Sequence, residues 1–255
     1  MNLAHRIEGP AGAPVLVLSN SLGSSIELWD QQMPALTAGH RVLRYDHRGH
    51  GGSDVPAGPY SIGGLAGDVL ALLDRLGVDR CSFAGTSMGG AVGMWLAVNA
   101  PLRIDRLAVL CSSARFGTRE MWLERAAVVR AGGIAEVAAA AVERWFTPTL
   151  RERRPELVDR FRRIIEATPA AGYAGCCEAL AEWDFGDRLA EIEAPTLVVA
   201  GADDPSVPLQ QARLIAGRVA RSRLLVVPAA AHLAHVERAD VVTPALLKHL
   251  DEEGT

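Results

Sequence analysis

Short runs of Val, Leu and Ile, each bounded by Gly, Pro or Asp and followed by a stretch of helical spacing, set the rhythm of this chain. Residues 15–19, 41–45, 81–84, 107–111, 196–200 and 224–227 are predicted strands. Several of these runs are apolar throughout rather than alternating, which is the pattern of strands covered by helices on both faces. Strands and helices taking turns predict an α/β domain with a mostly parallel, doubly wound sheet. The interval 116–194 holds no convincing strand and is far longer than the handful of residues that usually joins neighbouring elements. Its Ala-rich helical segments at 122–131, 134–146, 156–167 and 173–183 predict a helical cap, or lid, over one edge of the sheet. The organisation expected is therefore one core, residues 1–115 and 195–255, with 116–194 inserted as the cap. The acidic tail at 251–253 is expected to fray, and no internal repeat or low-complexity linker occurs.

Composition narrows the function. With 255 residues, 49% of them hydrophobic, the chain can bury a large core without disulfides or metals. A net charge of −4 supplies no basic field to hold nucleic acid or an anionic membrane by counterion release, so neither is an expected partner. The first ten residues carry charges and lack the apolar run of a signal peptide, and the longest apolar runs, such as 194–202, are too short to span a bilayer. A cytoplasmic enzyme acting on a small molecule is the expectation, and assembly with copies of itself is compatible with the sequence. Cys81, Cys111, Cys176 and Cys177 read as thiols, the adjacent pair as small buried side chains. No Cys-x-x-Cys or His-x-x-x-His pair occurs, so no metal or cofactor is expected.

The chemistry centres on Gly85-Thr86-Ser87-Met88-Gly89, which occurs once, after the run 81–84 and before a predicted helix at 90–99. A nucleophile elbow needs this context: a strand, a sharp turn that exposes a strained serine, and a helix whose N-terminus points at the reacting oxygen. The pattern points to an α/β-hydrolase fold with Ser87 as nucleophile. A serine hydroxyl needs a base, and this fold places its acid and then its histidine after the serine. His232 and His235 follow the last strand. His232 is chosen because it comes first and small residues lead into it; His235 then reads as a helix-start or rim residue. His249, inside the final helix, is expected in solvent. The acid that orients the imidazole should follow the strand at 196–200, where Asp203 and Asp204 are adjacent and only one can face the ring. The oxyanion of acyl transfer needs two backbone donors. Met88 N–H follows the nucleophile, and Leu22 N–H, in the turn Asn20-Ser21-Leu22-Gly23-Ser24 after the first run, is the second. The polar segment Asp46-His47-Arg48-Gly49-His50-Gly51-Gly52-Ser53 reads as a structural turn in which Asp46 and Arg48 hold loops near the elbow, in preference to a metal site.

Together, Asn20-Ser21-Leu22-Gly23, Tyr45-Asp46-His47-Arg48-Gly49-His50-Gly51, Gly85-Thr86-Ser87-Met88-Gly89-Gly90, Arg144-Trp145-Phe146-Thr147-Pro148, Gly172-Tyr173-Ala174-Gly175-Cys176-Cys177 and Ala230-Ala231-His232-Leu233 resemble bacterial 3-oxoadipate enol-lactonases over nearly the whole chain. The resemblance implies the α/β-hydrolase fold with the cap inserted after the sixth strand. It also implies hydrolysis of 3-oxoadipate enol-lactone to 3-oxoadipate in the protocatechuate (β-ketoadipate) branch of aromatic degradation. The superfamily spacing of Gly, Asp and Pro matches Gly201, Asp204 and Pro208, which favours Asp204 over Asp203. A small substrate bearing a carboxylate implies an arginine anchor in the cap, for which Arg144 beside Trp145 is the candidate. Thr86 departs from the Leu expected in that family's elbow. Some relatives carry a decarboxylase domain behind the hydrolase; the chain ends after its last helix, so that second activity is not expected. Two other readings use the same residues: a carboxylesterase or cofactor-free perhydrolase of haloperoxidase type, and a non-catalytic protein that only binds a small ligand.

Overall fold

The computed structural model of the chain describes residues 1–252. Its strands are β1 (His5–Glu8), β2 (Val15–Ser19), β3 (Arg41–Tyr45), β4 (Cys81–Thr86), β5 (Ile104–Leu110), β6 (Thr196–Gly201) and β7 (Ser222–Val227). They form one sheet in the order β1-β3-β2-β4-β5-β6-β7, with β1 antiparallel to β3 and every other neighbour parallel. All six predicted runs are strands, and β4 and β6 are buried along their whole length. β1 is the strand that the apolar pattern does not show. It carries His5, Arg6 and Glu8 at the open edge of the sheet, where charged side chains block pairing with another chain.

From β2 the chain winds to β3 on one side and then returns to β4 on the other. The order reverses between β2 and β4, which leaves a crevice beyond their carboxyl ends, and doubly wound sheets place their sites in such a crevice. The helices on the core are α1 (Met33–Leu36), α2 (Ile62–Arg75) and α3 (Met88–Asn99) before the insertion. Nine of the twelve residues of α3 are buried, so it is apolar all round, as a helix enclosed between the sheet and α2 must be.

Between β5 and β6 lie α4 (Arg119–Arg130), α5 (Ile134–Trp145), α6 (Pro148–Arg153), α7 (Pro155–Glu166) and α8 (Ala170–Ala181). Thr118 and Thr147 cap α4 and α6 by accepting the Met121 and Leu150 amides, and Pro148 starts α6 where its missing N–H costs nothing. These helices follow the fifth strand in chain order, not the sixth, because only β1 to β4 precede β5 among the described residues. The chain closes with α9 (Leu209–Arg218), α10 (Ala234–Glu237) and α11 (Ala239–Asp251). His249 is not in solvent: α11 packs its ring against the sheet, where it is buried and donates Nε2–H to Leu107 O at 3.0 Å. Of the acidic tail, Asp251 closes α11, Glu252 pairs with Arg223, and Glu253 lies outside the described residues.

The inserted helices dock on the core through backbone. A Cβ at Gly172 of α8 would stand 2.1 Å from Gly49 O, so only paired glycines let this helix approach the loop after β3. The four cysteines are free and buried. No helix among the described residues is long and apolar enough to cross a membrane.

The docking contact predicts the effect of a single methyl group. Gly172→Ala lowers the unfolding free energy by about 1–3 kcal/mol through overpacking, whereas Gly217→Ala in α9, with nothing within 4 Å of the added carbon, leaves it equal or higher by up to about 1 kcal/mol. Urea denaturation of the two variants measures the difference.

Candidate active site

Ser87 sits where β4 turns into α3, with φ 56° and ψ −115°, outside the regions that residues with a side chain ordinarily occupy. Three backbone contacts hold it there. Ser87 N–H donates to Leu110 O at 2.8 Å, and Ser87 O accepts Ser112 Oγ at 2.7 Å and Ala91 N–H at 3.1 Å. The flanking glycines are required by space, since a Cβ at Gly85 would lie 2.2 Å from Gly89 O. The Ser87 side chain makes no capping bond to the helix it starts, so its hydroxyl remains available, facing a cavity.

Asp204 follows β6 and is buried, whereas its neighbour Asp203 is exposed and only its amide is engaged, with Ala230 O at 3.0 Å. Asp204 Oδ1 accepts the amides of Ser206 (2.7 Å) and Val207 (3.0 Å), and Oδ2 meets His232 Nδ1 at 2.8 Å. This carboxylate keeps the proton on Nδ1 and leaves Nε2 of His232 with its lone pair. The loop after β7 that carries His232 is itself tied down. Ala231 N–H donates to Glu237 Oε2 at 3.0 Å, and Leu233 N–H donates to Trp145 O at 3.1 Å. Glu237 also accepts Thr147 N–H at 3.1 Å and the Thr147 hydroxyl, so one carboxylate joins the histidine loop to the start of α6. His235 stands apart: it is fully buried, lies 4.5 Å from the Trp29 ring and does not line the cavity.

The cavity, of about 140 Å³, brings Ser87, His232 and Leu22 together with Arg144 and Trp145 of the inserted helices. Met88 N–H, in the first turn of α3, has no acceptor within its helix, and Leu22 N–H has none among the described residues. An alcohol, an imidazole lone pair and the Leu22 residue lining one space, with the free Met88 amide on the residue next to the alcohol, are a set that can carry out acyl transfer. Among the described residues no group of three or more His, Cys, Asp or Glu could hold a metal ion. Asp46 and Arg48 hold loops as expected: Asp46 accepts the Ile26 (2.8 Å) and Gly52 (3.0 Å) amides, and Arg48 forks onto Asp68 with two bonds of 2.6 Å.

Sequence reasoning missed Arg125, which lines the same cavity with its guanidinium 4.7 Å from the Trp122 ring. The signal was there, because residues 122 and 125 are three apart and share a face of α4. Among the described residues no carboxylate pairs with Arg125 or Arg144. Burial lowers the Arg144 pKa from its ordinary value, and the charge of Arg125 adds to the effect. Two half-buried cations thus face one space without an anion.

The model of the alpha/beta hydrolase fold family matches residues 14–239. The chain is 41% identical to 3-oxoadipate enol-lactonase 2 of Acinetobacter baylyi, over 90% of this chain and 86% of the relative. Its structure is similar to that of the enol-lactonase from Burkholderia xenovorans LB400, at 40% identity and a TM-score of 0.96, covering 98% of this chain and 96% of the other. It is also similar to a hydrolase from Pseudomonas aeruginosa, at 46% identity and a TM-score of 0.95, covering 98% and 94%.

Burial makes the protein acid-sensitive in a definite window. It lowers His47 and His235 to about 3 and His50 and His249 to about 4, so all four are neutral in the folded chain at pH 7. Their unfolded counterparts titrate near ~6.5, so the unfolded chain binds more protons below that pH and folding loses up to about 1.4 kcal/mol per histidine per pH unit. The urea midpoint is therefore expected to fall as pH drops from about 6.5 toward 4, with more than one proton taken up on unfolding. A midpoint flat across that range would contradict the neutral, buried histidines.

Proposed function

This chain belongs to the alpha/beta hydrolase fold family and is an ester or lactone hydrolase, and from that premise we propose that it opens a small carboxylate-bearing lactone, 3-oxoadipate enol-lactone, to 3-oxoadipate, with Ser87 as nucleophile. The observation that carries the substrate is the pair Arg125 and Arg144, unpaired with any carboxylate among the described residues and lining the cavity of Ser87 and His232. A cation half removed from water is costly without a partner, and a ligand carboxylate removes that cost while orienting the ring to be cleaved. Trp145, Trp122 and Tyr173 supply the apolar walls. In this reading residues 116–194 act as the cap, contributing the anchor while the core contributes the reacting groups. The names of the relatives above support the same substrate, and with it a place in the protocatechuate branch of aromatic degradation.

The proposed steps use these groups in turn. His232 Nε2 takes the Ser87 proton as Oγ attacks the lactone carbonyl, and the new oxyanion is held by the Leu22 and Met88 amides. Collapse breaks the ring C–O bond. The departing enolate oxygen takes the proton from His232, and the resulting enol relaxes to the ketone. Water then gives its proton to His232 and attacks the acyl-enzyme, and a second collapse releases the carboxylic acid while Ser87 Oγ recovers its proton. Asp204 holds the imidazole and stabilises its charged form throughout.

Two predictions test the roles. Ser87→Ala is expected to lower kcat by about 10⁴-fold or more and Asp204→Asn by about 10³–10⁴-fold, with Asp203→Asn within about twofold of wild type because that side chain is exposed. The assay is loss of the ultraviolet absorbance of enol-lactone, and an Asp203 variant more damaged than the Asp204 variant reverses the assignment. Arg125→Met and Arg144→Met each raise KM for enol-lactone about 10–100-fold, the worth of a charge-assisted bond, while turnover of the uncharged p-nitrophenyl acetate changes less than about threefold. Equal losses on both substrates would remove the carboxylate anchor and favour a general carboxylesterase.

A further inference from the structure

The segment after β3 contains two buried histidines that the proposed mechanism does not use, and both reach the turn that carries Leu22. His47 Nε2–H donates to Asn20 O at 3.1 Å, with Ser19 Oγ 3.3 Å away. His50 Nε2 accepts Gly23 N–H at 2.9 Å, and its other nitrogen, Nδ1–H, donates to Arg48 O at 3.2 Å. Neither ring lines the cavity of Ser87 and His232, and neither belongs to a group able to hold a metal among the described residues. Asn20 Nδ2 adds a further tie, donating to Tyr45 O at 2.6 Å.

These bonds have a consequence for one amide. The Leu22 N–H belongs to the peptide plane between Ser21 and Leu22. The plane before it carries Asn20 O, held by His47, and the plane after it carries Gly23 N–H, held by His50. A rigid plane between two anchored ones has little freedom to rotate, because each residue contributes only two soft dihedrals. We propose that His50, with His47 as its counterpart, is a positioning residue that aims the Leu22 amide at the oxyanion by clamping the peptides on either side of it. The proposal rests on the reading of Ser87 given above.

The tautomers agree with this role. His50 must present a lone pair at Nε2 to accept an amide hydrogen, so the neutral Nδ1–H form is required. Burial supports that form by pushing the imidazole down to about 4. His47 needs the opposite tautomer, with Nε2–H facing the Asn20 carbonyl, and its Nδ1 has no partner among the described residues. Oxyanion donors act through preorganisation, and a donor free to swing away must be reoriented in every turnover.

The test compares His50→Leu, which removes the acceptor, with His50→Gln, whose side-chain carbonyl reaches about as far as Nε2, after melting curves confirm that both fold. His50→Leu is expected to lower kcat on enol-lactone about 10–100-fold while KM and the Kd of 3-oxoadipate move less than about threefold. Affinity for a trifluoromethyl ketone, whose hemiketal oxygen occupies the oxyanion position on Ser87, falls by the same factor as kcat, and His50→Gln recovers most of both. An unchanged kcat in folded His50→Leu, a loss confined to KM, or a His50→Gln variant as slow as His50→Leu would each overturn the proposal. Should His50→Leu fail to fold, nitrogen NMR of the wild-type protein decides instead: an unprotonated Nε2 on His50 and a slowly exchanging Gly23 amide are expected, and an Nε2–H proton overturns the clamp. Ser87→Ala tells the two failures apart, since its inactivity beside an unaffected His50→Leu removes only the clamp, whereas retained activity removes the serine mechanism as well.

Discussion

A backbone that would rather not exist holds the site together: Ser87 in a left-handed conformation between β4 and α3. Such a residue costs on the order of 1–3 kcal/mol and persists only where its surroundings over-determine it. Here they do. β5 takes the Ser87 amide through Leu110 O, Ser112 takes its carbonyl, and glycines on both sides let strand and helix meet at distances no Cβ would allow. The same bend frees the hydroxyl from capping duty and places it at the start of a helix whose first amides lack acceptors. The central strands and α3 serve this junction, which explains why α3 has almost no polar face.

The remaining parts reach Ser87 from carboxyl ends of other strands, as a doubly wound sheet dictates. β2 delivers the Leu22 turn, β6 delivers Asp204 and β7 delivers His232. Each delivered loop is then fastened by polar groups outside the cavity. His47 and His50 grip the first, the Ser206 and Val207 amides grip the Asp204 carboxylate, and Glu237 grips the third. Glu237 has a double attachment, to Ala231 beside the histidine and to Thr147 beside α5 and Trp145. The end of α5, the helix that presents Arg144, is thus bonded to the loop that presents the imidazole, with Trp145 O accepting Leu233 N–H. In the proposed reading, substrate anchoring and proton transfer share one framework.

Much of this was legible along the chain, for reasons that are local. The apolar runs of the central strands were readable because burial on both faces demands unbroken apolar residues, as in β4 and β6. Ser87 was visible because a nucleophile elbow needs small residues at fixed offsets from the serine. β1 was not visible, since this edge strand carries His5, Arg6 and Glu8 in place of an apolar run, and its pairing with β3 depends on a partner more than thirty residues away. His249 was misplaced because nothing in the helical pattern says that α11 turns that face toward Leu107 O. Arg125 was passed over in an arginine-rich stretch where most guanidiniums find surface carboxylates, as Arg119, Arg130 and Arg154 do.

The sequence by itself determined the alternation of strand and helix, the elbow at Ser87, the small-residue approach to His232 and the long insertion, because each is a matter of spacing between near neighbours. Motif spacing already favoured Asp204 over Asp203; only the tertiary structure decided that Arg125 joins Arg144 in one cavity without an anion, and that two buried histidines close on the Leu22 turn. Those are pairings between distant segments. Their geometry depends on how far apart the sheet sets its strands and how closely Gly49 and Gly172 let the inserted helices approach, distances that packing sets and no local pattern encodes.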